Sequence, residues 1–373
     1  MKKILLISNN GNGFYNFKRE LVTRLLEIGY EVHFATPAYK KLVDIIAEGA
    51  HFHEIFIDRR GTNIFKDLGL LRQFRRIIKE VRPDIMIAHT IKPNIYASIL
   101  SKRYGIPYMN NITGLGSALQ RNDKAARLLR MLYRVSLSNS QSIFFENAGN
   151  RNYFERYKIG NAGRYVVVPG AGVNIDLFNP SLKSELSKKL NGTVFLFIAR
   201  IMREKGTEEY LEAAQYIKKK YLSATFQVLG PYEETVYMEK IKEMESTGTV
   251  EFLGTSEDTR TEMSRADCIV LPSYHEGMSN VLLEGAAMGL PLITTDIPGC
   301  REAVCDGMTG FLCKTKSSES LINALERFLS LSPSERLEMG VQGREKMIKE
   351  FDRRLVVDRY VKAIQEATGE PNL

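Results

Sequence analysis

Short apolar runs alternate with longer amphipathic stretches along the whole 373-residue chain, and they do so in two series. In the first, strands are predicted at Lys3–Ser8, Glu31–Thr36, Phe52–Ile57, Asp84–His89, Tyr108–Ile112, Ser142–Glu146 and Tyr165–Pro169. Helical patterns such as Tyr15–Ile28, Ile64–Val81 and Ile95–Tyr104 fall between them. Strands buried on both faces read as continuous apolar runs, and helices between them mark parallel crossovers. The pattern breaks over 174–192, a turn-rich and then polar segment where the linker is expected. It restarts with strands at Val194–Ala199, Thr225–Gly230, Val250–Gly254, Cys268–Leu271, Pro291–Thr295 and Gly310–Cys313, with helices at Thr207–Lys219, Glu234–Glu245, Asp258–Arg265 and Ser318–Leu329. The fold class is therefore α/β, with two Rossmann-like domains in tandem over 1–175 and 191–350. A last helix in 351–373, about Arg353–Ala367, carries Leu355, Val356, Tyr360, Val361 and Ile364, and is expected to cross back to the first domain.

Composition narrows the partners. The net charge of +8 hides an asymmetry: residues 1–170 hold 27 Lys and Arg against 13 Asp and Glu, and the remainder 25 against 31. A basic first half attracts nucleic acid, anionic lipid or a phosphorylated ligand. No run reaches the ~18 apolar residues of a membrane span. Met1-Lys2-Lys3 followed by Ile4–Ser8 imitates a signal peptide, but Asn9-Asn10-Gly11 ends it too early, so it reads as a first strand. Cys268, Cys300, Cys305 and Cys313 form no C-x-x-C pair and read as thiols of a reduced, cytosolic protein rather than metal ligands.

Candidate chemistry collects after strands. Ser273–Glu284 runs from a strand through a loop into a helix, with Ser279 or Asn280 as N-cap. Backbone N–H groups there favour an anion. Glu276 and Glu284 flank that start, suited to sugar or ribose hydroxyls; the plainer alternative is a loop acid and a solvated helix acid. Arg200-Ile-Met-Arg-Glu-Lys205-Gly206 follows the first strand of the second series, and its fork and point charge suit a diphosphate, or are surface charge. Asn9–Phe14 is glycine-rich after strand one but is not G-x-G-x-x-G, and no acid closes strand two, so a dinucleotide site is not expected. It is a ligand loop or a plain turn. Thr113-Gly114-Leu115-Gly116 leaves another strand end on the same edge. His89 ends a strand, as a ligand contact or a structural histidine. Lys124, Arg127, Arg130 and Arg134 are spaced to share a helix face, following Arg121 in the preceding loop; a membrane-surface helix and a solvated helix fit equally.

With these motifs laid out, the chain resembles the retaining glycosyltransferases of family 4, which have the GT-B fold: two Rossmann-like domains with parallel sheets facing a central cleft. The marks are Arg200…Lys205-Gly206, Glu276-Gly277-x6-Glu284 and Gly299-Cys-Arg-Glu-Ala-Val304, in order over nearly the whole chain. Ala88–Tyr96 and Asn111–Gly116 look like a narrower group, the N,N′-diacetylbacillosaminyl-diphospho-undecaprenol α-1,3-N-acetylgalactosaminyltransferase type, which extends polyprenyl-diphosphate-linked oligosaccharides for bacterial glycans. The resemblance implies that Arg200 and Lys205 hold the donor diphosphate, Glu284 meets the ribose, and Glu276 and His89 contact the donor sugar. The N–H groups of Met278, Ser279 and Asn280 would bind phosphate or sugar, and Gly13 would let the diphosphate and acceptor approach the backbone. Ser279 stands where many relatives have Pro, and Ile91 where they have a second His, which bears on sugar specificity and on His89.

The expected partners are a UDP-sugar donor, a polyprenyl-diphosphate-linked saccharide acceptor and an anionic membrane surface, with no nucleic acid. The donor sugar would be GalNAc or a related hexose or hexosamine. No metal is expected, since no Asp-x-Asp is found to hold one. The enzyme would sit on the inner face of the cytoplasmic membrane, peripherally, with Gly114, Gly116, Arg121, Lys124, Arg127, Arg130 and Arg134 facing acceptor or membrane. The alternatives are a GT-B transferase with a soluble acceptor, a UDP-sugar epimerase, a non-catalytic sugar-nucleotide-binding partner and, against the lack of interleaved aromatics, a nucleic-acid-binding protein.

Overall fold

The computed structural model describes residues 1–58, 61, 63–116, 119, 123–182 and 192–370. The chain divides into two compact units, one of Met1–Ala171 with Arg354–Leu373, the other of Gly172–Arg353. The first unit is a seven-stranded parallel sheet: β1 (Lys3–Ile7), β2 (Glu31–Thr36), β3 (His51–Glu54), β4 (Ile85–His89), β5 (Tyr108–Ile112), β6 (Ser142–Phe145) and β7 (Tyr165–Val167), in the order β3-β2-β1-β4-β5-β6-β7. The second is a six-stranded parallel sheet: β8 (Val194–Ile198), β9 (Thr225–Leu229), β10 (Glu251–Phe252), β11 (Cys268–Leu271), β12 (Leu292–Thr295) and β13 (Gly310–Cys313), in the order β10-β9-β8-β11-β12-β13. All thirteen expected strands are present, with ends trimmed by a residue or two in most cases and more in β3 and β10.

Both sheets are covered on two faces, which is why strands such as β1, β8 and β11 are apolar along nearly their whole length. Side chains alternate along β1, so Ile4 and Leu6 meet Phe14, Leu21 and Leu25 of α1 (Gly11–Glu27) on one side. Leu5 and Ile7 meet Phe74 and Ile77 of α3 (Ile64–Val81) and Leu100 of α4 (Ile91–Tyr104) on the other. A short α2 (Leu42–Ala47) precedes β3. The order of strands reverses beside β1 in the first sheet and beside β8 in the second. Ligands in such sheets sit beyond the carboxyl ends of strands at these switch points, here the ends of β1 and β4 and of β8 and β11.

Three features depart from the sequence reading. The glycine-rich stretch after β1 is no loop: α1 begins at Gly11, not Tyr15, and Gly13 lies in its first turn. Gly11 is needed because a Cβ there would stand 2.3 Å from the Pro37 carbonyl oxygen. Residues 174–182, the described part of the segment expected as linker, belong to the second unit, as do Gly172 and Val173 before them. Val173 N–H donates to Phe351 O at 2.8 Å, Arg353 N–H donates to Val173 O at 3.0 Å, and the Arg344 guanidinium donates to Phe178 O at 3.0 Å. Three helices went unread, α2 and those at Ala148–Arg156 and at Pro333–Lys346. The last of these starts with a full capping box between Ser332 and Glu335.

The last helix, Arg353–Thr368, joins the first unit from Arg354 onward. Val356, Tyr360, Val361 and Ile364 bury in the core that holds β1 and α1, while Leu355 stays exposed. The Tyr360 ring stacks on Phe144 at 4.1 Å, and its hydroxyl is buried without a hydrogen-bond partner. Tyr360→Ala is therefore expected to lower stability by about 3–5 kcal/mol. Tyr360→Phe, which removes only an unsatisfied hydroxyl, is expected to be neutral or stabilising. Urea unfolding of both variants checks the pair.

Candidate active site

In the second unit, two loops at the switch point are stitched into one surface. The turn after β8, Ala199–Gly206, ends in a short 3-10 segment at Arg203–Lys205. Gly206 has φ +73°, and a Cβ there would lie 2.1 Å from Pro272 O, so only glycine lets this turn press on the segment after β11. Tyr274 N–H and the Ser273 hydroxyl both donate to Glu204 O, at 2.9 and 3.3 Å. The Tyr274 hydroxyl donates to buried Glu209 at 2.6 Å; burial and that carboxylate push the Tyr274 phenol up.

This stitching brings Lys205 and Glu276 together: Lys205 Nζ donates to Glu276 Oε1 at 2.6 Å, with both side chains largely shielded. Arg200 takes a different partner, pairing with Glu233 at 3.1 Å. Each predicted cation thus faces a carboxylate, and Glu233 was not singled out in the sequence. Helix α10 (Asn280–Ala287, the tenth α-helix among the described elements) begins after the Glu276 loop with Ser279 as N-cap. The Asn280 Oδ1 at its first turn is buried without a hydrogen-bond partner. One expectation is corrected here. Ser279 N–H donates to Gly299 O at 2.9 Å, so this donor is committed to the fold rather than offered to an anion. Gly299, with φ +88°, is pressed so close that a Cβ would meet Gly277 O at 2.6 Å, which accounts for the glycine of the Gly-Cys-Arg-Glu motif. Glu302 of that motif accepts from Gly299 N–H at 2.7 Å.

Glu284, one turn into α10, is partly buried. Burial pushes its carboxyl up to about 7, against the opposing pull of the Arg353 guanidinium. Arg353 lies some seventy positions away in the chain, so no spacing rule reveals it.

In the first unit a second polar cluster lies at the strand ends. His89 is 2% exposed. Its Nδ1 lies 3.3 Å from Asn111 Nδ2, and its Nε2 has no hydrogen-bond partner. Burial, with Lys18 adding to it, holds the imidazole well below its ordinary pKa, so it is neutral. Glu146, after β6, is pushed up to about 7 by burial, with Lys18 and Asn111 opposing. The Lys18 ammonium lies 5.0 Å over the Tyr360 ring. Lys18, Glu146 and Tyr360 were missed as site residues because each sits in an ordinary helix or strand pattern. Gly114 and Gly116 follow β5 on the same sheet edge, and Gly116 has φ +64°.

The basic helix forms as α5 (Lys124–Leu137), capped by Asp123. Its four cations do not share one outer face. Arg130 is buried, donates to the Tyr153 hydroxyl at 3.0 Å and lies over the Tyr157 ring at 4.5 Å, so it is structural rather than membrane-facing. Arg134 donates to Tyr157 O at 2.8 Å. Lys124 and Arg127 are exposed, beside a stripe of exposed apolar side chains, Leu128, Met131 and Val135. Arg121 lies outside the described residues.

The two Rossmann-like halves, with charged and polar side chains at both switch points, are the architecture of the GT-B class, and the family matches of the two halves together place the chain among the glycosyltransferases of that class. Residues 179–346 match the family model of glycosyl transferases group 1, and residues 3–147 match that of glycosyl transferase 4-like proteins. The chain is 26% identical to the N,N′-diacetylbacillosaminyl-diphospho-undecaprenol α-1,3-N-acetylgalactosaminyltransferase of Campylobacter jejuni, over 96% of this chain and 97% of that protein. It is 26% identical to the UDP-Gal:α-D-GlcNAc-diphosphoundecaprenol α-1,3-galactosyltransferase of Escherichia coli, over 72% of each. A glycosyltransferase from Rickettsia africae has the same fold, with TM-score 0.82 at 19% identity over 98% of both chains.

Glu284 sets a pH signature. Its folded pKa of about 7 exceeds the unfolded 4.5, so the native state binds the proton more tightly. The stabilisation this gives is complete below pH 4.5 and is lost as pH rises through 7. Glu284→Gln is accordingly expected to gain on the wild type across that window, by up to about 3 kcal/mol at its upper end. Denaturant midpoints measured from pH 4 to 8 check it.

Proposed function

We propose that this glycosyltransferase moves a sugar, GalNAc or a related hexose or hexosamine, from UDP to a saccharide carried on polyprenyl diphosphate, with retention at the anomeric carbon. The observation that carries the reading is the Lys205–Glu276 pair at the second switch point, 2.6 Å apart and largely shielded. The two named relatives, whose substrates are diphospho-undecaprenol saccharides, support the acceptor class, and the UDP-Gal donor of one supports the nucleotide.

In this reading the donor's sugar C1–O bond breaks and the electron pair leaves with the diphosphate, while an acceptor hydroxyl oxygen bonds to C1 and its proton passes to the departing diphosphate. Lys205 and Arg200 face that developing charge, and the first turn of α10, with the amides of Met278 and Asn280, adds its partial positive charge. Diphosphate entering the site competes with Glu276 for Lys205. The freed Glu276 carboxylate then accepts from the hydroxyls of the sugar, so one exchange of partners binds both ends of the donor. Glu284 meets the ribose hydroxyls. Charge stabilisation by these groups leaves no step that calls for a metal. In the first unit, neutral His89 offers its unpartnered Nε2 to a sugar hydroxyl, and Gly13, Gly114 and Gly116 permit close approach of the acceptor at the strand ends.

Among the described residues no helix is long and apolar enough to cross a membrane. Association is proposed to be peripheral, through the Leu128–Met131–Val135 stripe with Lys124 and Arg127 beside it. Apolar side chains enter the headgroup boundary while cations meet anionic lipid.

Nucleotide release from a panel of UDP- and GDP-sugars, with and without an undecaprenyl-diphosphate saccharide, tests the chemistry. Release from a UDP-sugar that requires the lipid acceptor, with an α-linked product by NMR, is expected. Turnover with a soluble sugar alone, or epimerisation without acceptor, would sink the acceptor assignment. Lys205→Ala is expected to lower kcat by about 10²–10³-fold. On anionic vesicles, Lys124→Ala and Arg127→Ala are each expected to weaken partitioning roughly 5-fold, from about 1 kcal/mol per cation. Co-sedimentation unchanged in the double variant would refute the membrane contact.

A further inference from the structure

Three of the chain's five histidines stand together on β2 and β3, away from the switch-point ends of β1 and β4 in the same unit. His33 of β2 and His51, the first residue of β3, are register partners on neighbouring parallel strands, and their rings stack at 4.6 Å. Two residues before His33 on the same face is Glu31. One donor atom each from Glu31, His33 and His51 lies within 4.8 Å of the other two. His53, two residues after His51, completes the group: His33 Nδ1 is 3.0 Å from His53 Nε2, and His33 Nε2 is 2.8 Å from Glu31 Oε1.

We infer that Glu31, His33 and His51 bind a borderline divalent cation, zinc being the best chemical match, and that His53 orients the central ligand. Imidazole with carboxylate suits zinc rather than magnesium or calcium, which prefer all-oxygen sets. Zinc bonds of about 2 Å place tetrahedral donors about 3.3 Å apart, so the donors must draw in. The two that move are the accessible ones: His51 is exposed and Glu31 half-buried, whereas His33 is held at 7% exposure between them. With the metal on His33 Nε2, the remaining ring proton sits on Nδ1 and is donated to His53 Nε2. Metal-bound histidines commonly make such a bond through their other nitrogen. Lys3, which donates to Glu31 at 2.9 Å, is the competitor the cation displaces. Three protein ligands leave the other positions to water.

The site lies at the amino ends of β2 and β3, whereas the glycosyl-transfer residues lie at carboxyl ends, so it stands or falls independently of the proposed reaction. Its consequence is mechanical: the cation clips edge strand β3, four residues long, to β2.

The test uses the full chain, free of any affinity tag and stripped with EDTA, titrated with Co(II) and then Zn(II). The expected result is one Co(II) per chain, visible d–d absorption of a low-coordinate site, displacement by Zn(II) and a rise in Tm on loading. His51→Ala, at an exposed position that leaves the fold intact, is expected to abolish saturable binding. His53→Ala is expected to weaken it about 10–100-fold. No one-to-one binding would overturn the inference. So would binding unchanged in His51→Ala and Glu31→Gln, or a near-ultraviolet thiolate charge-transfer band placing the metal on the cysteines.

Discussion

Burial of parallel strands on both faces is the constraint on which this molecule rests. A strand such as Ile4–Ile7, with no side chain facing water, contributes hydrophobic stabilisation along its whole length and has no position left for a functional polar group. Polar chemistry is therefore pushed to the strand ends, where loops and helix starts provide charge and unsatisfied amides. The residues of interest gather at the carboxyl ends of β1, β4, β5 and β6 and of β8 and β11, which is a consequence of this packing rather than an independent feature.

The ends of β8 and β11 differ in kind from those of β1 and β4. The former are built on opposite charges in contact, Lys205 with Glu276 and Arg200 with Glu233, held by glycines that admit no side chain. In the proposed reading, such pairs would give an incoming diphosphate and its sugar two partners by a single exchange. The ends of β4 and β6 are built instead on burial. His89 is kept neutral and Glu146 is raised towards neutrality, among amide oxygens and a phenol hydroxyl that lack partners. Buried unsatisfied groups cost about 1–3 kcal/mol each, a cost that the surrounding core offsets.

Strand by strand, the architecture was legible because period-two burial and continuous apolar runs leave unambiguous marks. Misreadings came where tertiary contact overrides local signal. Gly11 looked like a loop glycine, and is the first residue of α1, with Pro37 too close to admit a side chain. Residues 174–182 looked like a linker, and are held to the second unit by Arg344, which donates to Phe178 O, and by Val173 just before them, which bonds to Phe351 and Arg353. Arg130 shared a spacing with Lys124 and Arg127, yet a shift around the wheel puts it under Tyr153 and Tyr157.

What the amino-acid order alone determined was the doubly wound class of each half, the positions of thirteen strands and the candidate acids and bases after them. Those properties follow from near-neighbour periodicity and from residue type. Partners were decided by the fold: Lys205 on Glu276, Arg200 on Glu233, Arg353 near Glu284, His33 against His51 and His53. These contacts join residues that stand well apart in the chain, and only the register of parallel strands and the close approach of loops at their ends determine which charges meet.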